Sequence, residues 1–154
     1  SLKIEDDLNK NDLTLKLNQI GKKLLINNLP NYLNNRITLI EQNNNEKTYA
    51  HKIQSKDRKL DFYSNVNNIC NKVKAFSPTP SAWCVVGNEN IKIIKCKTKH
   101  IESLPSTIVN DKFHLGCKDG LIEPLIVQRE GKKPMNIKEF LKGFHFTVGQ
   151  KINA

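Results

Sequence analysis

Along the first third of the chain the apolar positions keep a helical period. Leu13, Leu17, Ile20 and Leu24 recur at i, i+4, i+7 and i+11, and Leu25, Leu29 and Leu33 continue a neighbouring stripe. The spacing predicts a helix over residues 12–29. Pro30 has no amide hydrogen to give the ladder and is expected to kink or end it. One amphipathic helix cannot bury its own face, so this element is expected to pack against something outside itself. Residues 34–60 lose the period: they are rich in Asn and Lys, with short apolar islands at 37–40 and 49–53, and read as a linker. From about residue 61 the pattern changes again. Val66, Ile69, Cys70, Val73 and Phe76 make one helical face, with Ser64 placed to cap it and Pro78 and Pro80 to stop it. Short β-rich runs follow at 82–86, 91–99, 107–109, 113–117 and 121–127, separated by turn residues. The parity of the second run changes near Ile94 and Lys95, as a β-bulge would cause. A last helix is expected from Asn136, with Glu139 as its reciprocal cap, Ile137, Phe140, Leu141 and Phe144 on its apolar face and Gly143 as its stop. A helix, five short strands and a helix fit an OB-type barrel.

Composition narrows the classes. At 154 residues the chain has room for about one domain, and 38% hydrophobic with 26% charged residues is lean but well short of disorder. No window approaches the ~18–20 apolar residues of a membrane-spanning helix, and no N-terminal stretch has the basic head, apolar middle and cleavage site of a secretory signal. A cytoplasmic protein is expected. The chain begins at Ser1 and its only methionine is Met135. A cut or processed piece, or the downstream part of something longer, is the expectation.

The net charge of +10 needs a discount, because 22 of the 25 basic residues are Lys and Asn is abundant, as in Asn43-Asn44-Asn45. An AT-rich coding bias adds lysine without selection for binding. The distribution restores part of the signal: residues 1–50 carry seven basic and six acidic side chains, whereas 51–154 carry eighteen and nine. A bias would act on both parts alike, so the second part is expected to face a polyanion.

Catalytic and metal patterns are missing. His51, His100, His114 and His145 show no H-x-x-H spacing, and no glycine-rich phosphate loop occurs. His114 and Cys117, three apart on one strand, point to opposite faces and make no nucleophilic pair. Cys70, Cys84, Cys96 and Cys117 form no C-x-x-C and are expected to be reduced thiols in a core. The candidate site residues are basic: Lys72 and Lys74 off the apolar stripe of the 66–76 helix, Lys95 and Lys97 (with Lys99) on one face of a strand, and Lys132 and Lys133 just before the last helix, whose N-terminus would add positive potential. Trp83 either stacks a base or joins the core.

Several motifs together resemble one family. Val73-Lys-Ala-Phe-Ser-Pro-Thr-Pro-Ser-Ala-Trp83 is similar to the R-A-F-x-P-x-P-G-A-W segment of methionyl-tRNA formyltransferases. Gln128-Arg-Glu-Gly-Lys-Lys-Pro-Met135, followed by Glu139-Phe-Leu141 and Gly143, resembles that family's ending. Thr48–Ile53 and Lys59–Phe62 resemble its linker passage, and Leu24–Leu33 the helix that closes its catalytic domain.

The resemblance implies a closing helical segment of a Rossmann-like formyltransferase domain at 1–34, a linker at 35–57 and an OB-type tRNA-binding domain at 58–154. It implies initiator methionyl-tRNA as partner, with 10-formyltetrahydrofolate the co-substrate of the whole enzyme and no cofactor or metal in this chain. The family's catalytic Asn, His and Asp match no position here, so this part is expected to be inactive alone. It would be the tRNA-binding C-terminal part of that enzyme; the alternatives are an inactive remnant of a split or decaying gene, or a half that complements a separate N-terminal domain. Four family glycines are replaced, by Arg58, Ser81, Ser106 and Lys118. Each replacement costs roughly 1 kcal/mol or more where the backbone is left-handed.

Overall fold

In the computed structural model, which describes residues 2–153, the chain divides after Ile53 into two compact units. The first is built on α1 (Lys10–Leu33). Asn9 caps it, its Oδ1 accepting from the amides of Asn11 at 2.7 Å and Asp12 at 3.2 Å, while the Asp12 carboxylate accepts from the Asn9 amide. The helix runs through Pro30 instead of ending there. A proline in the last turn removes only one ladder bond, and the Pro30 carbonyl is itself satisfied by the backbone and side-chain amides of Asn34. No residue of α1 is buried. Residues 34–54 carry no helix or strand.

The second unit opens with α2 (Ser55–Arg58), a single helical turn where the sequence suggests a loop. Next comes α3 (Val66–Phe76), which buries Val66, Ile69, Cys70 and Val73. Its cap is Asn65 and not Ser64. Asp119, from a turn far along the chain, takes the Val66 amide at 2.8 Å and the Asn65 side-chain amide, and Asn65 Oδ1 accepts from the Asn67 amide. The Ser64 hydroxyl donates instead to Asp61.

The strands are β1 (Ala82–Val86), β2 (Glu89–Lys99), β3 (Leu115–Cys117), β4 (Gly120–Arg129) and β5 (Met135–Asn136). They form one antiparallel sheet in the order β1-β2-β4-β3, with β5 also on β4. The expected bulge is present in β2, where the register with β4 shifts twice between Ile93 and Cys96. Ile91 and Ile93 face the core before it, and Lys95, Lys97 and Lys99 are exposed after it.

Residues 107–109, expected as a strand, make only single bridges: Thr107 with Lys151, and Ile108 with Leu115. The segment changes partner at each residue, so no ladder develops. With the bridge between Val86 and Ile152, these pairings carry the sheet from β3 back to β1 and close the barrel. The core inside it includes Phe62, Ile91, Ile93, Ile108, Leu115, Ile122 and Val127. α4 (Ile137–Gly143) covers one end. Asn136 accepts from the Glu139 amide, but Glu139 binds Lys142 and does not complete the expected reciprocal cap. Phe140 stacks on Phe144 at 4.4 Å between centroids, and both rings meet Phe113.

Two of the four replaced glycines fall on left-handed backbone, Ser81 at φ +65° and Ser106 at φ +57°; Arg58 and Lys118 do not. Arg58 gains a role, its Nη1 donating to the carbonyls of Pro80 and Ser81 at 2.9 and 3.1 Å. The buried Ser106 hydroxyl donates to the Ile152 carbonyl at 2.7 Å.

Ser106→Gly is therefore expected to stay within about 1 kcal/mol of the parent, since relief of ~1–2 kcal/mol of left-handed strain offsets one missing hydrogen bond. Ser106→Ala keeps the strain and forfeits the bond, and should unfold at clearly lower urea, by about 1–3 kcal/mol. Equal midpoints for the two variants would contradict the strain at this position.

Candidate nucleic-acid interface

The six lysines singled out from the sequence fall in three places. Lys72 and Lys74 lie half-buried along α3, Lys95 and Lys97 stand exposed on β2, and Lys132 and Lys133 occupy the exposed turn between β4 and β5. Lys97 pairs in register with Glu123 of β4, six residues from Arg129 at the end where the turn begins. Lys95 pairs with Ile126, three residues from that end, so at ~3.4 Å per residue Lys97 lies about 20 Å along the strand from the turn and Lys95 about 10 Å. The turn is shaped by Gly131 at φ +69° and by Gln128, whose side-chain amide donates to the Lys132 carbonyl at 2.7 Å. Strand β5 stands between Lys133 and the seven-residue α4, so the expected helix N-terminus does not follow this pair directly.

A different convergence appears at the barrel seam. A cavity of about 580 Å³ is lined by Lys56, Lys59, Lys72 and Lys151, with Asp61 and Tyr63 among its other walls. Lys72 alone was legible as a candidate. The others arrive from α2, from the stretch joining it to α3, and from the C-terminal seam. Among the described residues lining the cavity Asp61 is the one acidic side chain, and its carboxylate already accepts from the Tyr63 amide and the Ser64 hydroxyl. The Lys72 ammonium donates to the Lys59 carbonyl at 2.9 Å.

Beside the cavity, the Lys59 ammonium lies 5.7 Å from the centre of the Trp83 ring. Trp83 is half-buried and its indole N–H donates to the Ser55 carbonyl at 3.1 Å. It is thus anchored at one edge. Tyr63 is 65% exposed. Clustered ammonium groups with exposed aromatic faces can hold a phosphate chain and stack its bases.

Not every lysine is available on equal terms. Lys99 is ion-paired with Glu123, which also lies 3.4 Å from His114 Nε2. Asn110 holds the other ring nitrogen at 3.0 Å. The hydrogen bond from Lys99 keeps the Glu123 carboxyl below its ordinary range. Burial lowers His114, against the opposing pull of Glu123. Among the described residues no group of three or more His, Cys, Asp or Glu could hold a metal ion, and no helix is long and apolar enough to cross a membrane.

Residues 52–145 match the family described as formyl transferase, C-terminal domain. Methionyl-tRNA formyltransferase of Ehrlichia canis (strain Jake) is 35% identical over 146 residues, covering 92% of this chain and 46% of that protein. The enzyme of the same name from Rickettsia prowazekii (strain Madrid E) is 32% identical over 144 residues, covering 92% and 47%. The chain spans about half the length of these relatives. Among solved structures, a variant of HypX from Aquifex aeolicus superposes with a TM-score of 0.68 at 16% identity, covering 97% of this chain and 30% of that one. HypX in complex with tetrahydrofolic acid gives 0.62 at 17%, covering 84% and 26%. At these identities the likeness is one of fold.

The His114 network gives a signed pH dependence. With its folded pKa lowered, His114 contributes stability that is full above the ordinary imidazole range and is lost as pH falls through it. Glu123, also lowered, loses its contribution at still lower pH as its carboxylate is protonated. In an NMR titration the His114 midpoint should lie below that of a free imidazole, and Glu123→Gln should move it lower still, because Glu123 is the group that raises it. An upward move would refute the assignment.

Proposed function

Because the chain belongs to the formyl transferase C-terminal domain family, we propose that it is the tRNA-holding part of a methionyl-tRNA formyltransferase. In the whole enzyme a formyl group passes from 10-formyltetrahydrofolate to the α-amino group of initiator methionyl-tRNA in the cytoplasm. No residue of this chain is assigned to that transfer or to the folate. Its contribution is affinity and orientation: lysine ammonium groups neutralise tRNA phosphates and so fix where the acceptor end lies.

The observation that carries this reading is the gathering of Lys56, Lys59, Lys72 and Lys151 around one cavity at the barrel seam. These residues come from separate segments of a chain whose second part is strongly basic. Of the lysines named from sequence, Lys72 belongs to this group. Lys74, Lys95 and Lys97 would add contacts on α3 and β2, and Lys132 and Lys133 would add others at the turn between β4 and β5. Lys97 is the weaker of the β2 pair, because Glu123 faces it in register.

The apolar side chains of α1 enter the same proposal. Leu24, Leu25 and Leu33 are all more than half exposed, and the chain spans about half of its relatives. We assign this helix to packing against the remaining formyltransferase domain, whether on the same polypeptide or a separate one. The alternative of a decaying remnant draws on the replaced glycines. It loses ground at Arg58 and Lys118, where the backbone is not left-handed.

Initiator tRNA titrated onto the full chain at two salt concentrations tests the reading. Binding should saturate and weaken with salt. The Lys56→Ala/Lys151→Ala variant should lower the slope of log K against log salt by roughly 0.7–0.9 for each phosphate no longer neutralised. Lys132→Ala/Lys133→Ala should lower it in the same way. A parental slope in the Lys56→Ala/Lys151→Ala variant would remove the cavity from the interface, and a folded chain that binds no tRNA at low salt would overturn the proposal.

A further inference from the structure

Two of the four cysteines meet where α3 packs on β2. The sulfur atoms of Cys70 and Cys96 are 3.7 Å apart, touching but unbonded. Cys70 is buried at 5% exposure, whereas Cys96 is half-buried between the exposed Lys95 and Lys97. The meeting depends on the β2 bulge. Without the shift of register between Ile93 and Cys96, the parity that buries Ile91 and Ile93 would send Cys96 to solvent and Lys95 into the core.

The remaining thiols are differently placed. Cys84 and Cys117 are both fully buried, and the Cys117 thiol donates to the carbonyl of Leu115. Burial pushes each of them up to about 12, which keeps them protonated and unreactive.

We propose that Cys70 and Cys96 form a redox modification site, which a peroxide closes to a disulfide joining α3 to β2. The two sulfurs have separate roles. The Cys96 S–H donates to the Cys70 sulfur and the Lys74 ammonium lies near it; both hold the Cys70 thiol below its ordinary range, while the same bond and burial hold Cys96 protonated. Cys70 is therefore the thiolate that attacks.

Its sulfur takes one oxygen of hydrogen peroxide. The O–O bond breaks, and the leaving hydroxide collects a proton to become water. The resulting Cys70 sulfenic acid is attacked by the Cys96 sulfur as that thiol gives up its proton. The S–O bond breaks and a second water leaves. Two thiols are oxidised by two electrons and one peroxide is reduced to two waters. The sulfurs must close from 3.7 Å to about 2.05 Å, a movement of less than ~2 Å. Half-burial of Cys96 leaves a path for an oxidant as small as peroxide. The bond would tie the helix bearing Lys72 and Lys74 to the strand bearing Lys95 and Lys97.

The test is hydrogen peroxide on the folded full chain, followed by alkylation in denaturant and peptide mapping by mass spectrometry. Two of the four thiols should disappear, a Cys70–Cys96 linked peptide should form, and dithiothreitol should reverse both. In Cys96→Ser, shown folded by circular dichroism, Cys70 should instead be trapped as a sulfenic acid by dimedone. Four alkylatable thiols after treatment, a link from Cys96 to Cys117, or only intermolecular bonds would each overturn the proposal. The mapping of the parent chain decides it even if the serine variant does not fold.

Discussion

Closing the barrel is the constraint on which the second unit depends. A small sheet that buries Ile91, Ile93, Ile122 and Val127 on one face must leave no unpaired backbone at its edges. Here the edges of β1 and β3 are joined by two short segments and not by a full strand. The Ser106 amide donates to the Gly116 carbonyl at 3.0 Å, and its own carbonyl accepts from Ile152 at 2.9 Å. Asn153 bonds the Val85 carbonyl from its backbone, while its side chain accepts from the Val85 amide and donates to the Leu60 carbonyl. Both Ser106 and Asn153 lie at positive φ, because each must turn the chain within one residue to reach two neighbours. Gly116 completes the seam: the Leu104 carbonyl packs against its Cα, where a side chain has no room.

The seam also builds the basic cavity. Ser106, Lys151, Ile152 and Asn153, which close the barrel, line it together with Lys56, Lys59 and Lys72. The pairing that protects the core thus brings a C-terminal lysine to the side of α3. Charge then sorts the remaining lysines. Glu123, half-buried among His114, Lys97 and Lys99, neutralises one end of β2, whereas Lys95 stands beyond its ion pair. The proposed interface would be shaped as much by this single carboxylate as by the number of lysines.

One irregularity in β2 serves two ends. The bulge turns the lysines outward, where a polyanion can meet them, and turns Cys96 inward onto Cys70. The proposed phosphate contacts and the proposed thiol chemistry would therefore share one stretch of backbone. The first unit obeys a simpler rule. Asn9 and Asp12 cap α1 well, but capping supplies no cover for leucines in water, and a helix of this kind draws most of its stability from packing.

Local order was legible in the residues themselves. The period of Val66 to Phe76, the alternation of Ala82 to Val86, the parity change at Ile94 and the Asn136 start of the last helix are all set by side-chain spacing, and spacing is written in the sequence. So are the motifs that mark the family. What depended on distant partners was not. Asn65 displaced Ser64 as a cap because Asp119 reaches it from 54 residues away. Residues 107–109 read as a strand because their composition is right, yet their hydrogen bonds are divided between two neighbours. Lys56, Lys59 and Lys151 carry no local mark that sets them apart from other surface lysines; only closure of the sheet brings them together around Lys72. The sequence by itself determined the main helices and the longer strands, the family and the excess of positive charge. The tertiary structure decided which of those charges meet, because proximity across the barrel is a property of its seam and not of neighbouring residues.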